Sequence, residues 1–305
     1  MNDVWMWPKT EINNTTVTDN NAVLTEIEQY FSALYAPYKV VYFSRARVAI
    51  MAISAVRELS RPQLTFVQPF SSHCVLSAIS YQSTPTTVSL EQSTQQIIYH
   101  QWGNKTKINR QVYQNVLIED AVDSFILTND KSELFPNDAP FCVISLPKIL
   151  PVSVGSIVIC QQEDDYQQLI KQRLIMAQDI GSFISHIDIS AFKEATLQAK
   201  PTLVPVMDTG IQTLVENTLN KVQSNLLSIK MIFPELAITI TDSAKRLPSN
   251  VIISTSKYKE EALYKRAPFN VIEKQRTYYN YQEQCCEKVW LLPCHCQAGW
   301  SGFVC

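Results

Sequence analysis

Glycine is scarce in this sequence, with six residues in a chain of 305. None of them forms the Gly-rich loop between a strand and a helix that wraps a dinucleotide or cradles a nucleoside triphosphate, so Rossmann-type and P-loop functions are excluded. An excess of charge of either sign is also lacking. The formal net charge is -2, and the basic residues are scattered rather than gathered into a stripe. That removes the electrostatic footprint of a nucleic-acid binder and leaves small molecules as the expected ligands. No apolar run is long enough to span a membrane: the richest stretch, 141–160, is broken by Pro147, Lys148 and Pro151, and its Val/Ile content suits two buried strands. Residues 1–13 hold Asp3, Trp5 and Trp7 but no basic run followed by an apolar segment. No secretory signal is read there, and a cytoplasmic location is expected. Internal repeats and low-complexity tracts are missing.

What is present describes a folding chain. Hydrophobic residues make up 46% and charged residues 18%, an ordinary globular balance. The length allows one large core and a second, smaller lobe. Helical spacing of Val48, Ala52, Ile53 and Val56 predicts a buried helix over 47–59, stopped before Pro62. Short apolar strands are predicted at 64–68, 86–90, 116–118, 142–145 and 156–160, an order that suggests a mostly parallel sheet covered by helices. Helices follow over 163–178 and 211–232, the second with Val215, Leu219, Val222, Leu226 and Met231 on a repeating face. Strands at 237–240 and 251–254 and a helix over 256–264 complete a compact α+β tail.

Two places concentrate chemistry. The run Val116-Leu117-Ile118-Glu119-Asp120 puts a carboxylate at the carboxyl end of a buried strand, the edge where open α/β sheets bind ligands. Such an acid can hold a ring nitrogen protonated, with Asp120 the better candidate of the two, or it can simply cap the following segment. Later, Ser145-Leu146-Pro147-Lys148 lies between two apolar strands. Desolvation favours the neutral, nucleophilic amine of a lysine, the property that a Schiff-base lysine needs. A solvent-facing turn lysine is the plainer alternative.

In order along the chain, these segments resemble the DegT-type sugar aminotransferases. Ile118-Glu119-Asp120-Ala121 resembles the family's "EDA" strand end, and Ser145-Leu146-Pro147-Lys148, followed by Leu150-Pro151-Val152 and Gly155, resembles its "SxxK" cofactor lysine. Ser44-Arg45-Ala46-Arg47-Val48-Ala49-Ile50 is similar to the "SGRAA" helix start, Gln68-Pro69-Phe70-Ser71 to the "P-x-Y-T" turn, and Leu291-Leu292-Pro293-Cys294-His295 to the "LPxH" strand. The resemblance spans roughly residues 40–300.

The resemblance implies an α/β, aspartate-aminotransferase-like fold with a mostly parallel central sheet and a smaller C-terminal α+β lobe. On that pattern the chain divides into an N-terminal arm (1–30), a large cofactor-binding domain (31–205) and a small domain (206–305). The implied cofactor is pyridoxal 5'-phosphate. Lys148 would carry it as a Schiff base, Asp120 would meet its pyridine nitrogen, and Ser145 with the backbone amides of Ala46 and Arg47 would hold its phosphate. Phe70 belongs to the turn beside the ring, and Ser72 or His73 would lie over the ring. Lysine rather than histidine at 148 points to the aminotransferase branch instead of the dehydratase branch. Three departures stand out: Ala46 replaces a family glycine, Asp123 replaces a glutamine or histidine, and Val154-Gly155-Ser156 replaces an acidic-Gly-Gly segment. A second carboxylate beside the cofactor's phenolate oxygen would be repelled unless protonated or turned away.

The activity implied is amino transfer from an amino acid to a keto sugar, nucleotide-linked and serving surface polysaccharide synthesis, by a homodimer with no nucleic-acid or membrane partner. The rival is a catalytically silent relative that keeps the fold as a binding or scaffolding protein. Cys285, Cys286, Cys294, Cys296 and Cys305 crowd the carboxyl end. Their spacing with Gly299, Trp300 and Gly302 matches the end of an epidermal-growth-factor-like module, and His295 raises the thought of zinc. With no signal sequence, too few upstream cysteines and no paired CxxC knuckles, reduced structural thiols are expected instead.

Overall fold

A computed structural model describes residues 3–8, 17–88, 90–185, 200–234, 245–256 and 258–300. Its centre is a seven-stranded sheet made of β1 (Lys39–Phe43), β2 (Leu64–Phe66), β3 (Thr84–Thr86), β4 (Gln95–Tyr99), β5 (Val116–Asp120), β6 (Phe141–Ser145) and β7 (Ser156–Cys160). The strand order is β1-β7-β6-β5-β4-β2-β3. Pairing is parallel from β3 through β2, β4 and β5 to β6. Only β7 runs against its neighbours, antiparallel to both β6 and β1. The sheet is thus mostly parallel, as the order of apolar runs predicts.

Burial on both faces explains why these strands are apolar without alternation. Val40 and Tyr42, Cys142 and Ile144, and Ile157 and Ile159 point into one core, shared with α1 (Asn21–Leu34) and the long helix Ile211–Ile232. Val41 and Phe43, Phe141 and Val143, and Val158 and Cys160 point into the other. That second core is closed by α2 (Ala46–Val56), α3 (His73–Ser80) and α4 (Glu163–Ser185). The helix Ile211–Ile232 is α5. It presents Val215, Val222, Leu226 and Ile229 to the core, while Met231, expected on that face, is exposed. Five residues beyond Leu226, Met231 lies off the stripe that Ile229 continues.

Other expectations shift by local chemistry. The strand predicted at 86–90 is instead β3, and it ends at Thr86. Pro85 is tolerated in β3 because that strand lies at the sheet edge, where one missing amide costs no ladder bond. The strand beyond it, β4, opens with two polar glutamines, so only its last three residues, Ile97-Ile98-Tyr99, carry a strand-like apolar pattern. Helix α2 ends at Val56, and Glu58 then turns the chain with a φ of 51°. The helix expected over 256–264 is confined to Glu260–Tyr264, and the strand expected at 237–240 lies outside the described residues. The C-terminal region adds a three-stranded antiparallel sheet of β8 (Asn250–Ser254), β9 (Gln275–Asn280) and β10 (Cys285–Pro293), with β10 in the middle.

Beyond β10, Cys294 donates its thiol to the Pro248 carbonyl at 3.0 Å, and the buried His295 ring lies 2.8 Å from the Trp5 carbonyl. The seven described cysteines are free thiols. Among the described residues there is no group of three His, Cys, Asp or Glu able to hold a metal. No described helix is long and apolar enough to cross a membrane.

One glycine is fixed by space as well as by conformation. Gly103 has a φ of +91°, and a Cβ there would come within 2.4 Å of the Asp123 carbonyl and 2.5 Å of Pro248 Cα. Both obstacles are backbone, which cannot swing aside. Gly103→Ala is therefore expected to lower stability by on the order of 2–3 kcal/mol, read as a reduced denaturant midpoint with an unchanged m-value.

Candidate active site

The carboxyl ends of the parallel strands gather at one edge of the sheet, where a cavity of about 940 Å³ opens. Its walls include Ser44 after β1, Val67 and Gln68 after β2, Tyr99 of β4, Asp120 of β5, and Ser145 of β6. This is the side of an open α/β sheet that strand and helix geometry leave concave.

Lys148 reaches the cavity through a tight device. Because β6 and β7 are adjacent and antiparallel, the chain between them is a loop rather than a crossover helix. It starts with the 3-10 turn Leu146–Lys148. The turn is held by Leu146 N–H donating to the Gly155 carbonyl at 2.9 Å and Gly155 N–H donating to the Ser44 carbonyl at 2.7 Å. Gly155 has a φ of +130°, and a Cβ on it would meet Leu146 Cδ1 at 2.8 Å. The turn that projects Lys148 therefore requires glycine there.

The structure separates the two strand-end acids. Glu119 is buried in a structural network, accepting from Asn137 N–H at 2.7 Å and Asn137 Nδ2 at 3.0 Å, with His100 Nε2 at 3.1 Å. Asp120 faces the cavity and accepts one long bond, from Val122 N–H at 3.3 Å. Burial pushes the Asp120 carboxyl up to about 7, opposed by the Lys148 ammonium and reinforced by Asp123. An acid in that state answers an incoming cation by ionising.

Asp123 is turned toward the lysine. Its carboxylate lies 3.0 Å from Lys148 Nζ, accepts from Trp7 Nε1–H at 2.7 Å and accepts from the Tyr99 hydroxyl. Burial, with Asp123 next, holds the Tyr99 phenol well above its usual range, so it stays a donor. Trp7 contributes twice, because the Lys148 ammonium also sits 4.6 Å from its ring centroid. The repulsion expected of a second carboxylate is thus answered by one cation and two neutral donors.

At the other end, α2 begins at Ala46 with Arg45 in the N-cap position and no side chain capping the first amides. Ala46, Arg47 and Ser145 line the cavity, and the Ser44 hydroxyl is buried without a hydrogen-bond partner. A helix N-terminus with free amides, a spare hydroxyl and flanking arginines suits a phosphate. Together with a lysine amine and a buried acid, the donor set fits pyridoxal phosphate. Phe70, 73% exposed with a φ of 63°, and Ser72 also line the cavity. His73 does not: it is exposed at the start of α3, with Nδ1 3.3 Å from Ser77 Oγ. Of the two residues expected over the ring, the structure brings Ser72 alone to the site.

Trp7, Tyr99, Trp102, Arg276 and Lys288 were not found by sequence. Tyr99 was open to discovery, as the last residue of a parallel strand, once β4 was recognised. Trp7 carries no local signal, for its segment is anchored over the lysine by distant contacts: the His295 ring at the Trp5 carbonyl, Asn250 Nδ2 donating to the Met6 carbonyl, and Asp3–Val4 pairing with Asn270–Val271.

The fold is the one shared by the pyridoxal-phosphate-dependent aminotransferases with a large, mostly parallel sheet. A family model described as "Putative PLP-dependent aminotransferase" matches residues 27–173, which contain all seven strands of the large sheet, Asp120 and Lys148. Among solved structures, the chain resembles the Helicobacter pylori aminotransferase PseC, involved in the biosynthesis of pseudoaminic acid, with 12% identity over 95% of this chain and 94% of that one and a TM-score of 0.53. It resembles a DegT/DnrJ/EryC1/StrS aminotransferase from Brucella abortus with 11% identity, 90% and 86% coverage and a TM-score of 0.56. NtdA from Bacillus subtilis, with bound PMP, matches at 11% identity, 90% and 72% coverage and a TM-score of 0.54. No curated protein matches the sequence.

The raised Asp120 carboxyl has a sign that can be tested. Its folded pKa of about 7 lies above the unfolded value of 3.8, so the cofactor-free folded state binds the extra proton between those limits. Folding stability from this group is full at acid pH and is lost as pH rises toward neutrality, by on the order of a few kcal/mol. Asp120→Asn abolishes that term. In denaturant unfolding without cofactor, the variant is expected to gain on the parent between pH 5 and pH 7.5; an equal difference at both values would remove the assignment.

Proposed function

We propose that the protein is a pyridoxal-phosphate-dependent aminotransferase that moves an amino group from an amino acid to a keto sugar, nucleotide-linked and destined for a surface polysaccharide. The observation that carries the reading is the convergence of Asp120 and Lys148, from separate strand ends, on one cavity whose other end is a phosphate-type cradle. The sugar class is supported by the names of the structural neighbours and by the motif order along the chain. A cytoplasmic homodimer, with large and small domains meeting near residue 205, belongs to the same proposal.

Pyridoxal phosphate supplies an electron sink when bound. The chain's own residues do the rest. Ser44, Ser145 and the first amides of α2 would hold the cofactor's phosphate. Asp120 would hold the cofactor's ring nitrogen protonated, since a nearby positive charge favours its ionised form. Lys148 Nζ would hold the cofactor covalently, and the same amine is the group placed to move a proton at the substrate carbon. Asp123, braced by Trp7 and Tyr99, keeps the freed amine within reach instead of letting it leave for solvent. Phe70 and Ser72 bound the open side.

The purified chain is expected to take up pyridoxal phosphate with a visible absorbance, and borohydride is expected to fix the label on the peptide carrying Lys148. Lys148→Ala should abolish the label and lower amino transfer by on the order of 10³-fold or more. A folded protein that takes up no cofactor would instead identify the silent relative, with the Lys148–Asp123 ion pair as a permanent structural contact.

A further inference from the structure

Asp123 is held too firmly to be a spare acid. Its carboxylate accepts from Trp7 Nε1–H at 2.7 Å and from the Tyr99 hydroxyl, and its Oδ1 lies 3.0 Å from Lys148 Nζ. All three partners are donors, so the group acts as an acceptor throughout and carries its negative charge. Its backbone is pinned as well. The Asp123 carbonyl accepts from Ser249 N–H at 2.8 Å and packs against Gly103, where a Cβ would come within 2.4 Å of it. With no exposed side-chain surface, the carboxylate cannot turn to a new partner without stranding the donors it leaves. Asp123 therefore serves the lysine nitrogen rather than the cofactor's phenolic oxygen, although it stands where the family pattern has glutamine or histidine.

The wall around that nitrogen calls for a negative charge in contact. Arg45 and Arg47 at the start of α2, with Arg276 and Lys288 of the β9–β10 hairpin, face the same cavity, and each of them disfavours a proton on a neighbouring nitrogen. Asp120 of β5 is the other acid on the described wall, but burial pushes its carboxyl up to about 7. Tyr99 of β4 stays a neutral donor under burial and the Asp123 charge. Cys74 of α3 completes the titratable groups of the described lining. The ion pair that Lys148 makes among the described residues is with Asp123.

Joining the cofactor would not remove the positive charge that Asp123 answers. An ammonium and an aldehyde give a carbon–nitrogen double bond and one water. The aldehyde oxygen leaves with two of the ammonium's protons, and the third stays on the nitrogen. The pair can thus persist from the empty to the loaded site with the same atoms in contact and the same net charge, and neither buried partner is left alone.

We infer that Asp123 is the built-in counter-ion of the Lys148 nitrogen in both states, fixing a proton on the link between lysine and cofactor, an inference that rests on the proposed reading of the cavity as a cofactor site. It goes beyond retention of the amine. It gives Asp123 control of the proton at that nitrogen, and with it of the pH range in which the loaded site is ready. Tyr99 and Trp7 moderate the effect, because they draw on the same carboxylate.

The test loads the full chain with pyridoxal phosphate and follows its visible spectrum as pH is raised, since the protonated and the bare link absorb at different wavelengths. Asp123→Asn keeps the shape and removes the charge. It is expected to lower the midpoint of the spectral change by about 1–3 pH units, a loss of roughly ten-fold to a thousand-fold in proton affinity. Tyr99→Phe removes a competing donor and is expected to leave the midpoint at or above the parent's, a split in direction that a merely structural role would not produce. Equal midpoints in the parent and Asp123→Asn overturn the inference, as does a lowered midpoint in Tyr99→Phe. If Asp123→Asn does not fold, the Tyr99→Phe midpoint decides alone. A second measure needs no cofactor: acetylation of Lys148 by acetic anhydride, read by mass spectrometry against the exposed Lys265 of the same sample. Asp123→Asn is expected to raise that relative rate about ten-fold, and an unchanged rate overturns the inference even where the variant takes up no cofactor. A folded parent that takes up no cofactor overturns the proposed function, whereas a parent that loads and shares its midpoint with Asp123→Asn overturns this inference alone.

Discussion

The buried carboxylate of Asp123 is the constraint around which the site is arranged. A carboxylate with no exposed surface needs donors, and here they come from three distant parts of the chain: the N-terminal segment through Trp7, the sheet through Tyr99, and the loop between β6 and β7 through Lys148. Each donor is held by something else. Trp7 follows Trp5, whose carbonyl meets the buried His295. Burial drives the His295 imidazole down to about 4, so the ring is neutral and serves as a strut rather than a titrating switch near neutral pH. Lys148 depends on a turn that only glycine at 155 allows. The result is one connected structure, running from the chain's first residues to the strand end at Pro293 and the histidine beyond it, whose exposed product is a single amine.

The sheet makes that arrangement possible through its own geometry. Parallel strands put their carboxyl ends on one side, so the groups that follow β1, β2, β4, β5 and β6 share an edge although they are far apart in sequence. The antiparallel β7 matters as much. It lets β6 return by a short loop, and a short loop can aim a side chain more firmly than a mobile crossover connection. A lysine placed there meets the acid from β5 across a space that neither strand fills.

How much of this could be read from sequence follows from where each strand buries its faces. The runs ending at Asp120 and Ser145, and the run through Cys160, are buried on both sides, so their apolar character is continuous and their acid and lysine stand out as exceptions. β4 begins Gln95-Gln96 and β9 carries Gln275, Arg276 and Thr277. Both break the continuous apolar pattern: β4 opens on two glutamines although it is an interior strand, and Gln275, Arg276 and Thr277 of β9 line the cavity. The places of Trp7, Arg276 and Lys288 on the cavity wall are encoded only in tertiary contact. His73 shows the opposite error: a chemically attractive residue one position past the useful one, carried to the outer side of α3 by the helix turn.

The same contrast explains why the cavity is built for a ligand rather than for stability. The cavity wall leaves the Ser44 hydroxyl, the Gln68 side-chain amide oxygen, the Trp102 indole nitrogen and the Arg276 Nε buried without hydrogen-bond partners, and each such group costs on the order of 1–3 kcal/mol. The same wall holds Trp102 at a φ of 58° and keeps Asp120 where burial opposes its charge. The costs that fall on the cavity wall mostly have the same remedy. A molecule with a cationic ring nitrogen satisfies Asp120, and one with anionic oxygens satisfies the donors. The chemistry of the wall therefore describes its occupant as a body positive at one point and negative at its ends.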